Sequence, residues 1–226
     1  MKEIKTHFNT SPAEYEATRT GHLHDRRRRL VADALRATRP LATVLEVGCG
    51  TGALLGELAR AFPAVTFRGI DVDEPMVAYA TETHAAPNVS FAHADLVDLP
   101  AGTPYDLVFS IDMIHHLHDH AAGFAAVRRH LRPGGRWLAI EPNVWHAYVT
   151  YQQERMRRAG FDESHFRPGV MEPLLRAAGF AITRRRYAHL FPAAVGSVPE
   201  PLARVERALE RFRLLGGSVV YDLVAR

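Results

Sequence analysis

Residues 44–52 read Val-Leu-Glu-Val-Gly-Cys-Gly-Thr-Gly, an apolar run that opens into alternate glycines. A strand ending in such a turn lets its backbone approach a ligand closely, because the side chains that would hold the ligand off are missing. Asp71 stands 19 residues beyond Gly52, at the end of a second β-rich run. An ionised carboxylate there accepts hydrogen bonds from both hydroxyls of a ribose. Up to this point a nicotinamide dinucleotide fits equally well, since Gly48-x-Gly50-x-x-Ala53 satisfies the loose dinucleotide pattern. Two further acids narrow the choice. Glu46 lies two residues before the first glycine, where it would repel a diphosphate and suits a cationic amine. Asp95, in Ala92-His93-Ala94-Asp95-Leu96, can accept a hydrogen bond from an adenine amino group. These acids disfavour the nicotinamide-dependent oxidoreductase.

A second cluster reads His115-His116-Leu117-His118-Asp119-His120. Imidazole titrates near working pH, so one of these rings can serve as a general base. The candidates are His115, first, and His116; the competing reading has His116 packed in a loop and His118 and His120 solvated. Adjacent histidines diverge rather than converge on one ion, so no metal is expected. Cys49 has no base beside it in sequence and fits a small apolar filler of the turn. Met76 divides between ligand contact and core packing. Glu141 and Asn143 could orient a substrate or cap the next turn.

These residues need a scaffold that brings them to one edge. Short β-rich runs alternate with amphipathic stretches, the pattern of a parallel sheet covered on both faces. The spacing predicts strands over 43–47, 65–70, 89–92, 105–110, 136–141, 180–187 and 218–224. Helices are expected over 12–38, 53–62, 74–82, 119–131, 169–178 and 199–214. Ligands of open α/β sheets bind at the carboxyl ends of the strands, where Gly48, Asp71, Asp95 and the loop opened by Ser110 all fall. Seven strands result, the last able to pair antiparallel with its predecessor and close one sheet edge. Residues 142–168 lack a clear strand period and are rich in aromatics and histidine.

The chain has 226 residues, 47% hydrophobic and 23% charged, with a net charge of +3. That composition excludes wholesale disorder and a collagen-like fibre, and the length suits one domain. Apart from Lys2 and Lys5 every basic residue other than histidine is arginine. The run Arg26–Arg29 should spread around a helix and face water. One cysteine permits no internal disulfide and fits a reducing compartment. No run reaches the roughly 18 apolar residues of a membrane span, and the first residues lack a signal-peptide core, so a cytoplasmic protein is expected.

The segments Glu46–Gly52, Gly69-Ile70-Asp71, His93-Ala94-Asp95, Asp106–Ser110 and Leu131-Arg132-Pro133-Gly134-Gly135 occur in the order and spacing of the class I S-adenosylmethionine-dependent methyltransferases. The chain resembles that family most strongly over residues 40–142. The resemblance implies an α/β fold, a seven-stranded Rossmann-like sheet with helices on both faces and an antiparallel C-terminal strand. It implies that Glu46, Gly48, Cys49, Gly50 and Gly52 cradle the methionine part of S-adenosylmethionine. By the same carry-over Asp71 takes the ribose, Val72 and Met76 flank the adenine, Asp95 and Leu96 read its edge, and Ser110 borders the site. Tyr15 and Arg19 lie in a stretch that folds over the cofactor in similar enzymes.

A single domain is expected, with residues 1–39 as a helical cover, 40–141 as the cofactor half and 142–226 as the substrate side. His115, Glu141, Asn143, Trp145, His146 and Tyr148 are the candidate acceptor contacts, with Tyr151 and His165 in the same stretch. Ser110-Ile111-Asp112-Met113 lacks the Asn/Asp-Pro-Pro-aromatic motif of base-modifying DNA enzymes, so no nucleic-acid partner is expected, and no membrane. A small-molecule hydroxyl or amine is the expected acceptor, in a monomer or homodimer. A cofactor-binding protein without transferase activity remains an alternative on sequence.

Overall fold

A computed structural model describes residues 11–102, 104–160, 167–191 and 195–226. The strands are β1 (Thr43–Val47), β2 (Thr66–Asp71), β3 (Val89–His93), β4 (Tyr105–Ile111), β5 (Leu131–Pro142), β6 (Phe180–Ala188) and β7 (Ser218–Ala225). They form one sheet in the order β3-β2-β1-β4-β5-β7-β6. β1 to β5 run parallel, and β7 pairs antiparallel with both β5 and β6.

The helices are α1 (Pro12–Ala17), α2 (Gly21–Ala37), α3 (Ala53–Ala61), α4 (Glu74–Thr83), α5 (His120–His130), α6 (Ala147–Arg158), α7 (Pro168–Ala177) and α8 (Glu200–Leu209). One face of the sheet, with Leu45, Ile70, Val108 and Trp137, is covered by Phe124 of α5 and Leu175 of α7. The other, with Val44, Phe67, Phe109 and Ile140, meets Leu30 and Leu35 of α2 and Leu55 and Leu58 of α3.

Four expectations change. β7 does not close the sheet edge; it lies between β5 and β6, and β6 is the edge. Val219, Val220, Tyr221 and Leu223 are fully buried, which a doubly covered interior strand requires, whereas β6 presents exposed Arg184 and Arg185, charges that suit an edge. The helix expected over 12–38 is two helices, α1 opened by a Ser11–Glu14 capping box and ending at a Thr18 C-cap, and α2 restarting at Gly21, whose φ is +76°. α6 fills part of the stretch without a clear period; only Gln153 on it is buried, so it has no apolar stripe to display.

The arginine run is the fourth correction, because Arg26 and Arg27 are buried while Arg29 alone is fully outward. Arg26 pairs with Glu210, just past α8, and Arg27 pairs with Asp112. His22 bonds Glu206 at 2.9 Å, so α8 turns a polar side toward α2.

Candidate functional site

The glycine turn leaves β1 with the N–H groups of Gly48 and Cys49 donating to the Ile70 carbonyl at 2.9 and 3.0 Å. Gly48, Gly50 and Gly52 have φ values of +76°, +52° and +74°, a region that β-carbon sterics close to most residues. At Gly52 an added Cβ would lie 2.6 Å from the Phe91 ring. The turn therefore presents bare backbone at the carboxyl end of the sheet. Asp71 locks it from β2. Its Oδ2 accepts from Gly50 N at 2.7 Å and its Oδ1 from Asp73 N at 3.0 Å. Each oxygen keeps acceptor capacity for a further donor. Burial pushes the Asp71 carboxyl above its ordinary value, against the pull of these N–H groups.

Glu46 is 4% exposed, and its Oε2 is buried with no hydrogen-bond partner. Burial first, and then the neighbouring Asp71 charge, hold its carboxyl well above the usual range. An uncompensated buried carboxylate is costly, which is why the group is driven toward its protonated form. Cys49 is buried and free, its Sγ packed toward Gly69, and burial pushes its thiol up.

Met76 is buried at the start of α4, while Val72 stands 61% exposed beside it. The Val72 carbonyl bonds the His93 ring at 3.1 Å. Asp95 is exposed, with Oδ1 accepting from Val97 N at 2.8 Å, and Leu96 is buried behind it. Ser110 is fully buried and accepts from the Trp137 indole at 3.1 Å. Its hydroxyl thus faces the core packing rather than the turn.

Above the glycines, the Tyr15 ring lies close enough to Gly50 that a Cβ there would be 3.8 Å from it. The Arg19 guanidinium stacks on that ring at 4.6 Å and bonds its hydroxyl. Arg19 also lies 3.7 Å from Asp112, the residue that Arg27 holds. Burial raises the Asp112 carboxyl, but Arg27 and Arg19 outweigh it and keep the group below its ordinary value. Sequence reasoning missed Arg27 and Asp112 as a unit, although Asp112 has the signature of a special position in its φ of +52°.

Glu141 is fully buried and receives four hydrogen bonds from the loop after β4. Oε1 accepts from Met113 N and Ile114 N at 3.1 and 2.8 Å. Oε2 accepts from His115 N at 3.3 Å and meets His115 Nδ1 at 2.8 Å. The His116 ring is tilted against His115 with centroids 4.1 Å apart. Asn143 is equally buried, its amide donating to the carbonyls of Arg213 and Gly216, both at 2.7 Å, and its Oδ1 accepting from Trp145 N at 3.1 Å. Glu141 therefore holds the loop after β4, and Asn143 ties the start of its own turn to the segment before β7.

His146 caps α6 through Val149 N. Trp145 and Tyr148 are 44% and 58% exposed, with Arg213 stacked over Trp145 at 4.8 Å, and Tyr151 is exposed as well. His165 lies outside the described residues. Among the described residues, no helix is long and apolar enough to cross a membrane, and no group of three or more His, Cys, Asp or Glu could hold a metal.

A family described as a methyltransferase domain matches residues 44–135. Trans-aconitate 2-methyltransferase of Deinococcus radiodurans is 35% identical over 119 residues, 53% of this chain and 45% of that protein. Malonyl-[acyl-carrier protein] O-methyltransferase of Hahella chejuensis is 40% identical over 96 residues, 42% of this chain and 34% of that one. The chain thus spans less than half the length of these two relatives. Among solved structures, N-methyltransferase NodS from Bradyrhizobium japonicum, in complex with S-adenosylhomocysteine, has a TM-score of 0.63 at 15% identity, over 91% of this chain and 88% of that one. A Haloferax volcanii complex of the Trm112 activator and a methyltransferase has a TM-score of 0.71 at 18% identity, over 99% of each chain. At such identities these two structures bear on the fold alone.

Proposed function

We infer that this chain, whose residues 44–135 are a methyltransferase domain of the class I S-adenosylmethionine-dependent family, transfers the cofactor's methyl group to an oxygen of a small-molecule acceptor. The observation that carries the reading is the buried, partnerless Oε2 of Glu46 beside the bare glycine turn. An amine of the cofactor would supply the missing donor and charge, which a diphosphate could not. The chemistry of the site thus fits S-adenosylmethionine.

Bound there, the sulfonium activates the methyl, and the remaining task is to align an acceptor in line with it. In this reading Glu46 takes the amine and the backbone of Gly48, Cys49, Gly50 and Gly52 receives the methionine part. Asp71 keeps acceptor sites for the ribose hydroxyls while bracing the turn. Val72 and Met76 border the adenine, whose edge meets Asp95 and Leu96. Tyr15 and Arg19 cover the cofactor, and Ser110 contributes by fixing Trp137. The division into a cover (1–39), a cofactor half (40–141) and an acceptor side (142–226) follows the same assignment.

Glu141, as a carboxylate, accepts the Nδ1 proton of His115, which makes Nε2 the basic nitrogen of that ring. His115 is then the base that takes a proton from the acceptor hydroxyl, with His116 packed against it. Trp145, His146 and Tyr148, beyond the carboxyl end of β5, are the proposed acceptor side. An O-methyltransferase among the relatives supports oxygen over nitrogen.

The test is a thermal-shift comparison of S-adenosylmethionine, S-adenosylhomocysteine, NAD and NADP at equal concentration. A ligand specific to the folded state stabilises it by about 2.7 kcal/mol at a hundredfold excess over Kd. A shift with the two sulfur nucleosides alone is expected. A shift with NAD or NADP alone would overturn the reading.

A further inference from the structure

We propose that the amino end of the sheet, opposite the glycine turn, carries a second binding site that takes a small oxyanion. A cavity of about 290 Å³ opens there, lined by Thr66, Arg68, Ser90 and His130 and roofed by Leu99 and Pro100. Its size falls just below the usual range of ligand pockets, which suits a compact ligand.

Arg68 is the anomaly that points to charge. Alternation along β2 puts it on the same side as Ile70, and its register partner on β1 is Leu45, both core residues. A guanidinium in such a row calls for an anion. Elsewhere in the sheet this need is met, since Arg136 and Arg186 share Asp222, and Arg132 holds Asp106. Among the described residues no carboxylate pairs with Arg68.

Across the register from Arg68 stands Ser90, and Thr66 lies two residues back on the same side of β2. His130 is 3% exposed, and its Nε2 has no partner. Burial, helped by Arg129 and opposed by a backbone hydrogen bond at Leu99, lowers the proton affinity of that ring, so the positive charge of the cavity rests on Arg68. One unpaired guanidinium with hydroxyls beside it is the chemistry that recognises phosphate and carboxylate oxygens.

The roof is held in place. Arg129 Nη2 donates to the carbonyls of Leu96, Val97 and Leu99 at 3.1, 2.5 and 3.1 Å, which pins the loop after β3 over the cavity. That loop also carries Asp95 and Leu96, so the two sites share one covering segment.

The experiment is isothermal titration of the full chain with inorganic phosphate and, separately, with succinate, at constant ionic strength. Saturable one-site binding of at least one of them in the millimolar range is expected, and the tighter of the two identifies phosphate or carboxylate as the source. Arg68→Gln should weaken it about tenfold or more, roughly 1.4 kcal/mol. Arg68→Lys, which keeps the charge and loses the fork, should weaken it less and covers the case in which the glutamine variant is unstable. Arg60→Gln, on the exposed side of α3, should leave it unchanged. Failure of both anions to saturate, or equal binding by wild type and both Arg68 variants, would overturn the proposal. Neither result depends on the cofactor assignment, which the nucleoside thermal shift tests by itself.

Discussion

Glu141 grips His115 twice through one oxygen, at 2.8 Å to the ring and 3.3 Å to the backbone N–H. The carboxylate fixes both the position of the loop and the orientation of the ring. Glu141→Gln keeps the size but turns an amide donor toward groups that are themselves donors. The expected loss is about 1–3 kcal/mol of stability, the cost of buried groups left unpaired. Turnover should fall roughly 100-fold while S-adenosylhomocysteine affinity, read by calorimetry, holds within a few-fold. An unchanged turnover in a folded variant would remove His115 from the chemistry.

Glu46→Gln separates binding from folding. The neutral amide relieves a buried carboxyl group whose Oε2 has no partner, so the ligand-free variant should melt higher than wild type. Affinity for S-adenosylmethionine should drop at least about tenfold. The pH dependence has a definite sign. The native carboxyl holds its proton above the ordinary range, while the unfolded chain releases it near 4.5, so the ligand-free protein loses stability as pH rises from that value toward the native one. Urea titrations across that window should show a flatter profile in the variant.

Gly52→Ala tests the close packing under the turn. The new methyl would meet the Phe91 ring and the Ala80 methyl at 2.6 and 2.8 Å, on a backbone with φ of +74°. Overpacking and the left-handed conformation together should cost about 2–4 kcal/mol, visible as a lower denaturation midpoint. Gly102→Ala, where an added Cβ meets nothing, should be nearly silent.

What was legible in the sequence was local. The glycine turn, Glu46 and Asp71 lie within one strand–turn–helix–strand stretch, and the residue types there are dictated by backbone approach and charge. The strand runs were legible for the same reason. The order of β6 and β7 was not, because it depends on which strand is buried on both faces. The burial of Arg26 and Arg27 was not either, since their acids stand 184 and 85 residues away in sequence. α6 escaped because a helix with one buried residue leaves no periodic trace. Glu141 was visible as a site residue, but its four donors belong to a loop whose path only the fold determines.

His189 gives the opposite pH response to Glu46. It sits just past β6 with φ of +65°, its Nδ1 2.8 Å from Ser218 Oγ and its Nε2 without a partner. Burial above all, with Arg27 and Arg26 adding repulsion against the weaker pull of Asp112, keeps the ring neutral far below the ordinary 6.5. As pH falls through 6.5 the unfolded chain takes up a proton that the native state refuses. Stability present above that value is therefore lost on acidification, at up to about 1.4 kcal/mol per pH unit from this one group. His189→Gln keeps a polar side chain that does not titrate. The difference in unfolding free energy between pH 7 and pH 5 should shrink in the variant by most of that contribution. An unchanged difference would mean that the ring takes up its proton at the same pH in the native protein as in the unfolded chain, with Asp112 offsetting burial and the two arginines.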